Sequence, residues 1–259
     1  MTDGPLSGVR VLVTRPAGQA DELVAAIEAA GGEVIRFPVI KITGRGAETV
    51  AADLGDLPAP DIAIFVSSNA VANGLPALKD SGASMAAIGP ATAAAIEAAG
   101  VTVDIAPLQG FDSEHLLEHP ALQDVQGKTI VIARGEYGRT LLGDTLKSRG
   151  AEVRYLAVYR REANRLPDNV VADLDEAWQQ GRISCVIVMS IETLKNLLLL
   201  LPPAALERLR ETPLVAPANR VIQEALELVP GIPAILASGP SATDMLNALI
   251  DSRHSGKIQ

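Results

Sequence analysis

Short apolar runs alternate with longer segments of helical periodicity along the whole chain. Val9 to Val13 is the first apolar run, and after a short turn the apolar residues from Leu23 to Ala30 recur at helical spacing, followed by Gly31-Gly32. Apolar residues three or four positions apart predict a helix, and a glycine pair after the last of them predicts its end. This order of strand, turn, helix and stop predicts a βαβ unit.

The same order recurs along the rest of the chain. The further apolar runs, each followed by a small or polar turn and a helical stretch, are Ile62–Val66, Met85–Ile88, Thr129–Ile132, Val186–Met189, Leu214–Val215 and Ile235–Ala237. Strands that alternate with helices are typical of α/β proteins, whose parallel strands are buried on both faces and are therefore almost continuously apolar. We expect an α/β fold with parallel sheets.

A weak internal repeat relates the first βαβ unit to a later one. A constant shift of 119 positions, as from Gly8 to Gly127, aligns residues 8–39 with residues 127–158 without a gap. The identical pairs are Gly8/Gly127, Arg15/Arg134, Leu23/Leu142, Gly31/Gly150, Glu33/Glu152, Val34/Val153 and Val39/Val158. We interpret the repeat as two similar lobes. Chance alignment is the alternative, because the apolar patterns of α/β units resemble one another.

Two later turns also pair, with larger shifts. Ser67 corresponds to Ser190 at a shift of 123 positions, and Gly89–Thr92 corresponds to Ala216–Asn219 at a shift of 127. Both turns follow predicted strands, as the repeated turns of two similar lobes should. The hypothesis of two lobes therefore extends beyond the first βαβ unit.

Two long extended runs predict that the lobes do not simply follow one another. Arg36–Ile42 and Tyr155–Arg160 each outlast an ordinary strand, so we interpret both as bridges between the lobes. The predicted boundaries are residues 1–36 with 163–259 for the first lobe, 44–154 for the second lobe, and 37–43 with 155–162 for the two linker strands. We expect a ligand in the cleft between the lobes, facing the carboxyl ends of the strands.

Composition and charge exclude several classes of function. Of the 259 residues 48% are hydrophobic but only 3% are aromatic, which favours helices on parallel strands over a β-sandwich. A net charge of −9 without a basic block argues against nucleic acid as a partner. The apolar runs are far shorter than the roughly 20 residues of a membrane span, and the first seven residues do not resemble a signal peptide. We expect a cytoplasmic monomer without membrane contact.

Metal and nucleotide chemistry have no support in the sequence. Cys185 is the single cysteine, so an internal disulfide is excluded, and His115, His119 and His254 do not cluster with it at a metal-ligand spacing. No glycine-rich phosphate loop follows any of the predicted strands. We therefore expect neither a cofactor nor a metal.

The turns after the predicted strands are mostly small or hydroxylic and open helices. Helix N-termini present unpaired N–H groups that can bind carboxylates, although the same side chains also serve as ordinary N-caps. The candidate binding residues in and near these turns are Thr14, Arg15, Ser67, Ser68, Asn69, Gly89, Thr92, Arg134, Arg139, Ser190, Ile191, Pro217 and Ala218. The arginines suit carboxylates, or surface ion pairs with the acidic excess.

Five short motifs stand in a characteristic order between Val11 and Arg160. They are Val11–Pro16, Phe65–Val71, Ile88–Ala93, Gly127–Arg139 with its Arg-Gly-x-x-x-Arg ending, and Val153–Arg160 with Val158-Tyr159-Arg160. Together they resemble the uroporphyrinogen-III synthase family. The resemblance implies two flavodoxin-like lobes that are joined by a two-stranded extended linker, with the chain leaving and re-entering the first lobe.

Two positions depart from the family pattern. Ala216–Arg220 replaces a turn that often contains Ser-Pro-Arg in bacterial relatives, and Ile191 replaces a small polar residue after Ser190. At these turns we expect backbone N–H groups, rather than side chains, to contact a ligand.

The resemblance implies closure of the linear tetrapyrrole hydroxymethylbilane to uroporphyrinogen III, with loss of water and inversion of ring D. Loss of the hydroxyl gives an azafulvene-like electrophile almost unaided, so such an enzyme mainly orients the chain for attack through a spiro intermediate. The cleft tyrosine of the family maps onto Tyr159, whose hydroxyl would donate a hydrogen bond to the departing hydroxyl. Packing against the neighbouring connector is the other role open to Tyr159. We also expect transient contact with hydroxymethylbilane synthase.

Two other functions stay open. A non-catalytic two-lobed module that binds an anionic small molecule would share the fold, because flavodoxin-like lobes host many functions. Turnover of hydroxymethylbilane distinguishes that module from the enzyme. A glycosyltransferase with two α/β lobes would need a nucleotide-diphosphate site, which no motif indicates clearly.

Overall fold

The computed structural model describes residues 4–55 and 59–258. The strands are β1 (Arg10–Val13), β2 (Glu33–Arg36), β3 (Ile40–Gly44), β4 (Ile62–Phe65), β5 (Ser84–Ala87), β6 (Thr129–Gly135), β7 (Glu152–Ala163), β8 (Cys185–Ile187), β9 (Leu214–Ala216) and β10 (Ala234–Leu236). The helices are α1 (Asp21–Ala29), α2 (Ala47–Leu54), α3 (Ser68–Leu78), α4 (Pro90–Ala98), α5 (Ser113–Leu117), α6 (Leu141–Ser148), α7 (Asp168–Gln179), α8 (Ile191–Leu200), α9 (Pro203–Leu209), α10 (Asn219–Leu228) and α11 (Ala242–His254), with a 3₁₀ turn at Pro120–Leu122. In these two stretches of chain, every helix is too short or too polar to cross a membrane.

The strands form two mostly parallel sheets. The first sheet has the order β10-β9-β8-β1-β2, and the second has the order β3-β7-β6-β4-β5. Parallel pairing joins β10, β9, β8, β1 and β2 in the first sheet and β5, β4, β6 and β7 in the second. The predicted α/β fold with parallel sheets is confirmed.

The chain divides into two compact units. The first unit contains the described residues up to Lys41 and those from Glu162 onward, and the second unit contains the described residues from Ile42 to Arg161. The core of the first unit is built around Val11, Leu23, Ile187 and Met245.

The second unit has an apolar core on each face of its sheet. Phe65 and Val131 contribute to one core, and their neighbours Ile64 and Ile132 contribute to the other. Successive side chains of a strand point to opposite faces, so a strand with a core on both sides is apolar at every position. This burial explains the continuous apolar run of β4.

The internal repeat is reproduced in the register of the sheets. Arg10 lies opposite Glu33 in the β1–β2 pair, and Thr129 lies opposite Glu152 in the β6–β7 pair, so both positions differ by 119. Val11 pairs with Cys185 in β8, and its equivalent Ile130 pairs with Ile62 in β4, which reproduces the shift of 123. The weak sequence repeat therefore reflects equivalent βαβ geometry.

The two sheets share one strand order although the chain enters them at different points. In the first unit the order is 2-1-3-4-5 when β1, β2, β8, β9 and β10 are numbered along the chain. In the second unit β7-β6-β4-β5 repeats β2-β1-β8-β9, and a single parallel bridge between Ala86 and Ile105 lies where β10 would be. The second unit is thus a circular permutation of the first, with β3 added beside β7.

The predicted shift of 127 for the next pair of turns is wrong by two residues. Met85 lies opposite Ala63, and Leu214 lies opposite Val186, so the shift between these strands is 129. The N-cap of α4, Gly89, is then equivalent to the N-cap of α10, Ala218. Matching the two prolines misled the sequence alignment, because Pro90 lies inside the first turn of α4 whereas Pro217 precedes α10 by two residues.

The extended run Arg36–Ile42 is not one continuous strand. β2 ends at Arg36 beside β1, and β3 begins at Ile40 beside β7. The Phe37 N–H still donates to the Val13 carbonyl at 2.9 Å, but Pro38 has no N–H to donate to a ladder. The chain therefore changes sheets over three residues.

The second extended run lies within β7, which has 12 residues. The Asn164 N–H donates to the Val39 carbonyl, and the Arg45 N–H donates to the Val158 carbonyl, both at 3.0 Å. From the first bond to the second, the residue number rises from 39 to 45 along one segment and falls from 164 to 158 along the other. The strands β3 and β7 are therefore antiparallel. β6 is also longer than the predicted Thr129–Ile132, because its pairing with β7 continues to Gly135.

Glycines end the equivalent helices α1 and α6, as the sequence predicts for α1. Gly31 and Gly150 both have φ of 85°, which is the left-handed region that favours glycine. The next N–H groups donate back to Ile27 at 3.0 Å and to Leu146 at 3.1 Å. These bonds form Schellman motifs, which satisfy the last carbonyls of each helix.

Candidate active site

A cavity of about 240 Å³ opens at the carboxyl ends of β4, β5 and β6 in the second unit. Its lining residues are Val66, Ile88, Ser113, Ile132, Arg134, Gly135, Tyr137, Gly138, Arg139, Leu142, Tyr155 and Tyr159. The strands β6 and β4 are neighbours in the sheet. The chain goes from β6 to β7, toward one edge of the sheet, and from β4 to β5, toward the other edge. Open parallel sheets bind ligands at such a reversal point, outside the carboxyl ends of the strands. The cavity has the position that the fold predicts for a ligand site.

Tyr159 reaches this cavity through an irregularity in the strand pairing. Arg134 lies opposite Ala157, but the next residue, Gly135, lies opposite Tyr159, so β7 has one extra residue at this point. Such a bulge re-aims a side chain. A Cβ atom on Gly135 would lie 3.0 Å from a ring carbon of Tyr159. The glycine therefore gives the ring room to pack against the β6 backbone.

The Tyr159 hydroxyl is held by a helix cap. Its oxygen lies 3.3 Å from Ser67 Oγ, and Ser67 Oγ also accepts from the Ala70 N–H at 3.1 Å. Ser67 is the N-cap of α3. The Tyr159 side chain is 7% exposed, so the ring is packed while its hydroxyl takes part in a polar contact beside the cavity.

The other candidates of the second unit lie at the first turns of α3 and α4. Ser68 Oγ donates to the Ala91 carbonyl at 3.1 Å, which joins the two helix starts. The Asn69 carbonyl accepts from its neighbour on the helix, Asn73 Nδ2, at 2.8 Å. These contacts place the two helix starts side by side at the strand ends.

Gly89 and Thr92 are both buried at the start of α4. A Cβ atom on Gly89 would lie 2.8 Å from Phe111 Cβ, so a larger residue here would displace the loop before α5. Neither residue lines the cavity, whose nearest lining residue on this turn is Ile88. Gly89 and Thr92 therefore contribute to the site by positioning the N-terminus of α4.

Arg134 organises the loop that follows β6. Its Nε donates to the Gly135 carbonyl at 3.2 Å, its Nη2 to Gly138 at 3.0 Å and its Nη1 to Arg139 at 3.1 Å. Its guanidinium also lies 4.6 Å from the centre of the Tyr155 ring. Three of its five N–H groups are therefore used within the protein, which the sequence did not predict.

Arg139 is exposed at the cavity and has a looser partner. Its Nη1 lies 3.7 Å from Glu114 Oε1, and 70% of its side chain is accessible. Ion pairs of this kind contribute little to stability because water screens them. The Arg139 charge is available to a ligand carboxylate.

The α5 helix begins beside the cavity at Ser113, which is buried. Asp112 is its N-cap and accepts from the His115 N–H at 3.0 Å and from His115 Nδ1 at 2.6 Å. The side-chain hydrogen bond to Asp112 raises the pKa of His115, and the bonds from the His115 backbone and ring lower the pKa of Asp112. This pair stabilises the first turn of α5.

In the first unit, Thr14 and Arg15 follow β1. Thr14 is fully buried, and its Oγ1 donates to the Ile187 carbonyl of β8 at 2.6 Å, so its hydroxyl links two strands. Burial lowers the pKa of Arg15, and Glu22 partly opposes this effect. Arg15 remains a cation at neutral pH, because guanidinium groups lose a proton only far above that pH.

The remaining candidates of the first unit lie at the carboxyl ends of β8 and β9. Ser190 caps α8 by accepting from the Thr193 N–H at 3.1 Å, and Ile191 is the first residue of that helix. Pro217 and Ala218 lead into α10, where Ala218 is an N-cap without a side-chain hydrogen bond. These turns therefore offer mainly backbone N–H groups.

Three lining residues with polar side chains were missing from the candidates that the sequence predicted. They are Tyr137, Tyr155 and Ser113. The sequence held one signal for the two tyrosines, which is that aromatic residues are scarce and each tyrosine is therefore a candidate for a specific role. The three tyrosines of the chain, Tyr137, Tyr155 and Tyr159, all line this cavity. Tertiary contact was needed to bring them together.

Cys185 and the described aspartate, glutamate and histidine residues are not among the residues that line the cavity. Burial raises the pKa of Cys185 in β8 to about 12, so its thiol stays protonated and unreactive. Within residues 4–55 and 59–258, no group of three or more His, Cys, Asp or Glu side chains is arranged to hold a metal ion.

Comparisons with known proteins agree with one another. The family described as "Uroporphyrinogen-III synthase HemD" matches residues 21–247. The chain is 34% identical over 199 residues to uroporphyrinogen-III synthase of Salmonella typhimurium, covering 74% of this chain and 80% of the relative. It is 34% identical over 203 residues to the enzyme of Escherichia coli, with the same coverage. The fold matches the crystal structure of uroporphyrinogen-III synthetase from Helicobacter pylori with a TM-score of 0.63 and 18% identity, over 94% of this chain and 99% of that one.

Proposed function

The chain belongs to the uroporphyrinogen-III synthase family, and from this premise we propose that it closes hydroxymethylbilane to uroporphyrinogen III. The family match over residues 21–247 is the observation that carries the proposal. The position of the cavity at the reversal point of a parallel sheet supports it. The reaction releases one water molecule and inverts ring D of the linear tetrapyrrole.

The chemistry of the substrate determines what the protein has to supply. The pyrrole nitrogen pushes electrons toward the hydroxymethyl carbon, so the C–O bond breaks, water leaves, and an azafulvene-like electrophile remains. The substituted carbon of ring D then attacks it to form a spiro intermediate, which rearranges and closes the macrocycle. Selectivity over simple closure comes from holding the reacting carbons in the correct orientation.

We propose that Tyr159 assists departure of the hydroxyl. Its phenol can donate a hydrogen bond to the leaving oxygen, and the contact with Ser67 keeps that phenol in place. A neutral donor is sufficient, because the pyrrole already provides most of the driving force. Tyr159 is thus the catalytic residue of this proposal.

We propose that the acetate and propionate groups bind helix starts and arginines. In the second unit these are the N-termini of α3 and α4, with Ser67, Ser68, Asn69, Gly89 and Thr92, together with Arg139, while Arg134 contributes by holding the loop that carries Arg139. In the first unit they are Arg15 and the turns with Ser190, Ile191, Pro217 and Ala218, while Thr14, which is fully buried and donates to Ile187, holds the turn that carries Arg15. N–H groups at a helix start carry a partial positive charge, so they bind carboxylates without added cations.

We also propose that both units are flavodoxin-like lobes, with the domain boundaries and linker strands predicted from the sequence. The 2-1-3-4-5 strand order of the first unit supports this description. A cytoplasmic location, a monomeric state and transient contact with hydroxymethylbilane synthase stay predictions.

The proposal is tested by an assay in which freshly generated hydroxymethylbilane is given to the purified protein. The type I and type III isomers of uroporphyrinogen are then separated. We expect predominant type III, formed faster than the spontaneous type I product. Only type I at the spontaneous rate would contradict the activity and leave the non-catalytic module that binds anionic molecules.

A further inference from the structure

The loop between β6 and α6, residues 136–140, is held by side chains rather than by regular secondary structure. Arg134 donates to the carbonyls of Gly135, Gly138 and Arg139. The Tyr155 hydroxyl donates to the Thr140 carbonyl at 3.1 Å. Three of the five loop carbonyls, and the Gly135 carbonyl at the end of β6, therefore accept hydrogen bonds from two side chains, and those side chains also stack on each other.

This loop presents an aromatic ring and a cation together at the cavity. Tyr137 is 91% exposed and lines the cavity. Arg139, two positions further on, also lines the cavity, and its Nη1 lies 3.7 Å from Glu114 Oε1. The Tyr137 ring and the Arg139 guanidinium line the same cavity, so a ligand there can contact an aromatic ring and a cation together.

The size of the cavity limits which part of a ligand it can hold. Its volume of about 240 Å³ is below the range of roughly 300–1,000 Å³ for pockets that enclose drug-sized ligands. It therefore accommodates one pyrrole ring with its acidic substituents, rather than the whole linear tetrapyrrole. A planar ring that carries carboxylates fits a tyrosine face beside a guanidinium.

We propose that Tyr137 is a specificity-determining residue that stacks on one pyrrole ring of the tetrapyrrole while Arg139 pairs with a carboxylate of that ring. Arg134 and Tyr155 are positioning residues, because they hold the loop that carries both side chains. This inference rests on the proposed function and adds to it how one ring is oriented. Orientation of the rings decides whether closure gives the type III or the type I isomer.

The first test compares Tyr137→Ala with Tyr137→Phe. Loss of the ring in Tyr137→Ala raises KM for hydroxymethylbilane about threefold to tenfold and increases the share of type I product. Tyr137→Phe keeps the ring and therefore keeps both values. Leu199→Ala is the matched control, because Leu199 is an 81% exposed apolar residue of the first unit.

Two outcomes would overturn the inference. One is an unchanged KM and isomer ratio in Tyr137→Ala, and the other is a Tyr137→Phe variant as impaired as Tyr137→Ala. Wild-type protein that forms no type III product contradicts the proposed function itself. Type III formation by wild type together with an unaffected Tyr137→Ala contradicts only the role of Tyr137.

The positioning role of Arg134 is tested with Arg134→Lys. Lysine keeps the charge but cannot donate to three carbonyls in the fork geometry of a guanidinium. We expect the isomer ratio to shift as in Tyr137→Ala, and the double variant to be no worse than the more impaired single variant. A lowered Tm with an unchanged isomer ratio would mean that Arg134 only stabilises the fold.

Discussion

Residues with the same functional group have different roles in this protein, and their hydrogen-bond partners determine which role each one has. Thr14 and Ser67 both follow buried strands and carry hydroxyls, yet the Thr14 hydroxyl donates to a neighbouring strand while Ser67 caps a helix beside a cavity. Arg134 and Arg139 belong to one motif, yet Arg134 holds a loop and Arg139 points its charge outward. Each role depends on which atoms lie within hydrogen-bond distance of the side chain, about 3 Å. The residue type alone does not determine those neighbours.

At the residue scale we expect Tyr159→Phe to slow catalysis without unfolding the protein. The substitution removes the donor to the leaving hydroxyl and the contact with Ser67. We expect kcat to fall about tenfold to a hundredfold, at the lower end of general-acid effects because the substrate ionises almost unaided. The free energy of unfolding falls by about 1 kcal/mol or less, as measured by urea denaturation.

The control for this variant is removal of a buried hydroxyl that does not line the cavity. Thr212 Oγ1 accepts from Trp178 Nε1 at 2.9 Å in the first unit. Thr212→Val should lower stability by a similar or larger amount and leave kcat unchanged. A normal kcat in Tyr159→Phe would show that Tyr159 only packs against its neighbours.

A second prediction at this scale concerns the single thiol. Cys185 is fully buried, and burial raises its pKa to about 12. The thiolate is the reactive form, so native protein at pH 8 should resist iodoacetamide, whereas protein in denaturant should be alkylated at once. Mass spectrometry of the two samples measures the difference. Rapid alkylation of the native protein would show that β8 is accessible.

At the scale of single elements, the ends of α1 and α6 depend on backbone conformation. Gly31 has φ of 85°, where a Cβ atom costs roughly 1–2 kcal/mol. We expect Gly31→Ala to lower the free energy of unfolding by about that amount and Gly31→Asn by less, because asparagine tolerates this region better. Chemical denaturation of the three proteins measures the order. Equal stabilities would mean that α1 ends in another way.

The start of α5 should respond to pH through Asp112 and His115. The pKa of His115 is raised, so its stabilising contribution is complete below its unfolded pKa of about 6.5 and is lost as pH rises through the folded value. The pKa of Asp112 is lowered, so its contribution is complete above about pH 4 and is lost as pH falls through the folded value. The pair therefore stabilises this helix start most between about pH 4 and 6.5.

NMR titration of the His115 ring checks this prediction. We expect a midpoint above about 6.5 in the wild type and close to that value in Asp112→Asn. Asparagine keeps the N-cap, so the variant removes the charge and retains the helix start. A wild-type midpoint at or below 6.5 would contradict the pairing.

At the scale of the whole molecule, one strand order is built twice from differently ordered chain segments. The second unit is continuous in sequence and has its own two cores, both made of residues between Ile42 and Arg161. We therefore expect a fragment of residues 42–161 to fold alone and to unfold cooperatively, as measured by circular dichroism and NMR. The control is a fragment of residues 42–125, which lacks the central strand β6. An unfolded 42–161 fragment would show that its cores need the rest of the chain.

The sequence alone was sufficient for the α/β class, the strand runs, the glycine that ends α1 and the family. These features depend on residues close together in the chain, such as the apolar run of β4 or Gly31, because short-range periodicity and backbone preference determine them. Even the repeat at a shift of 119 was visible, since equivalent strand and turn positions require similar residues.

The cavity and the partners of its side chains were decided only by the tertiary structure. Tyr137, Tyr155 and Tyr159 lie on a loop and a strand whose approach depends on the pairing of β6 with β7 and on its one-residue bulge. Likewise, Pro217 and Pro90 looked equivalent until strand register showed that Gly89 is equivalent to Ala218 in the repeat. Contacts between distant residues follow from packing and register, which local patterns do not encode.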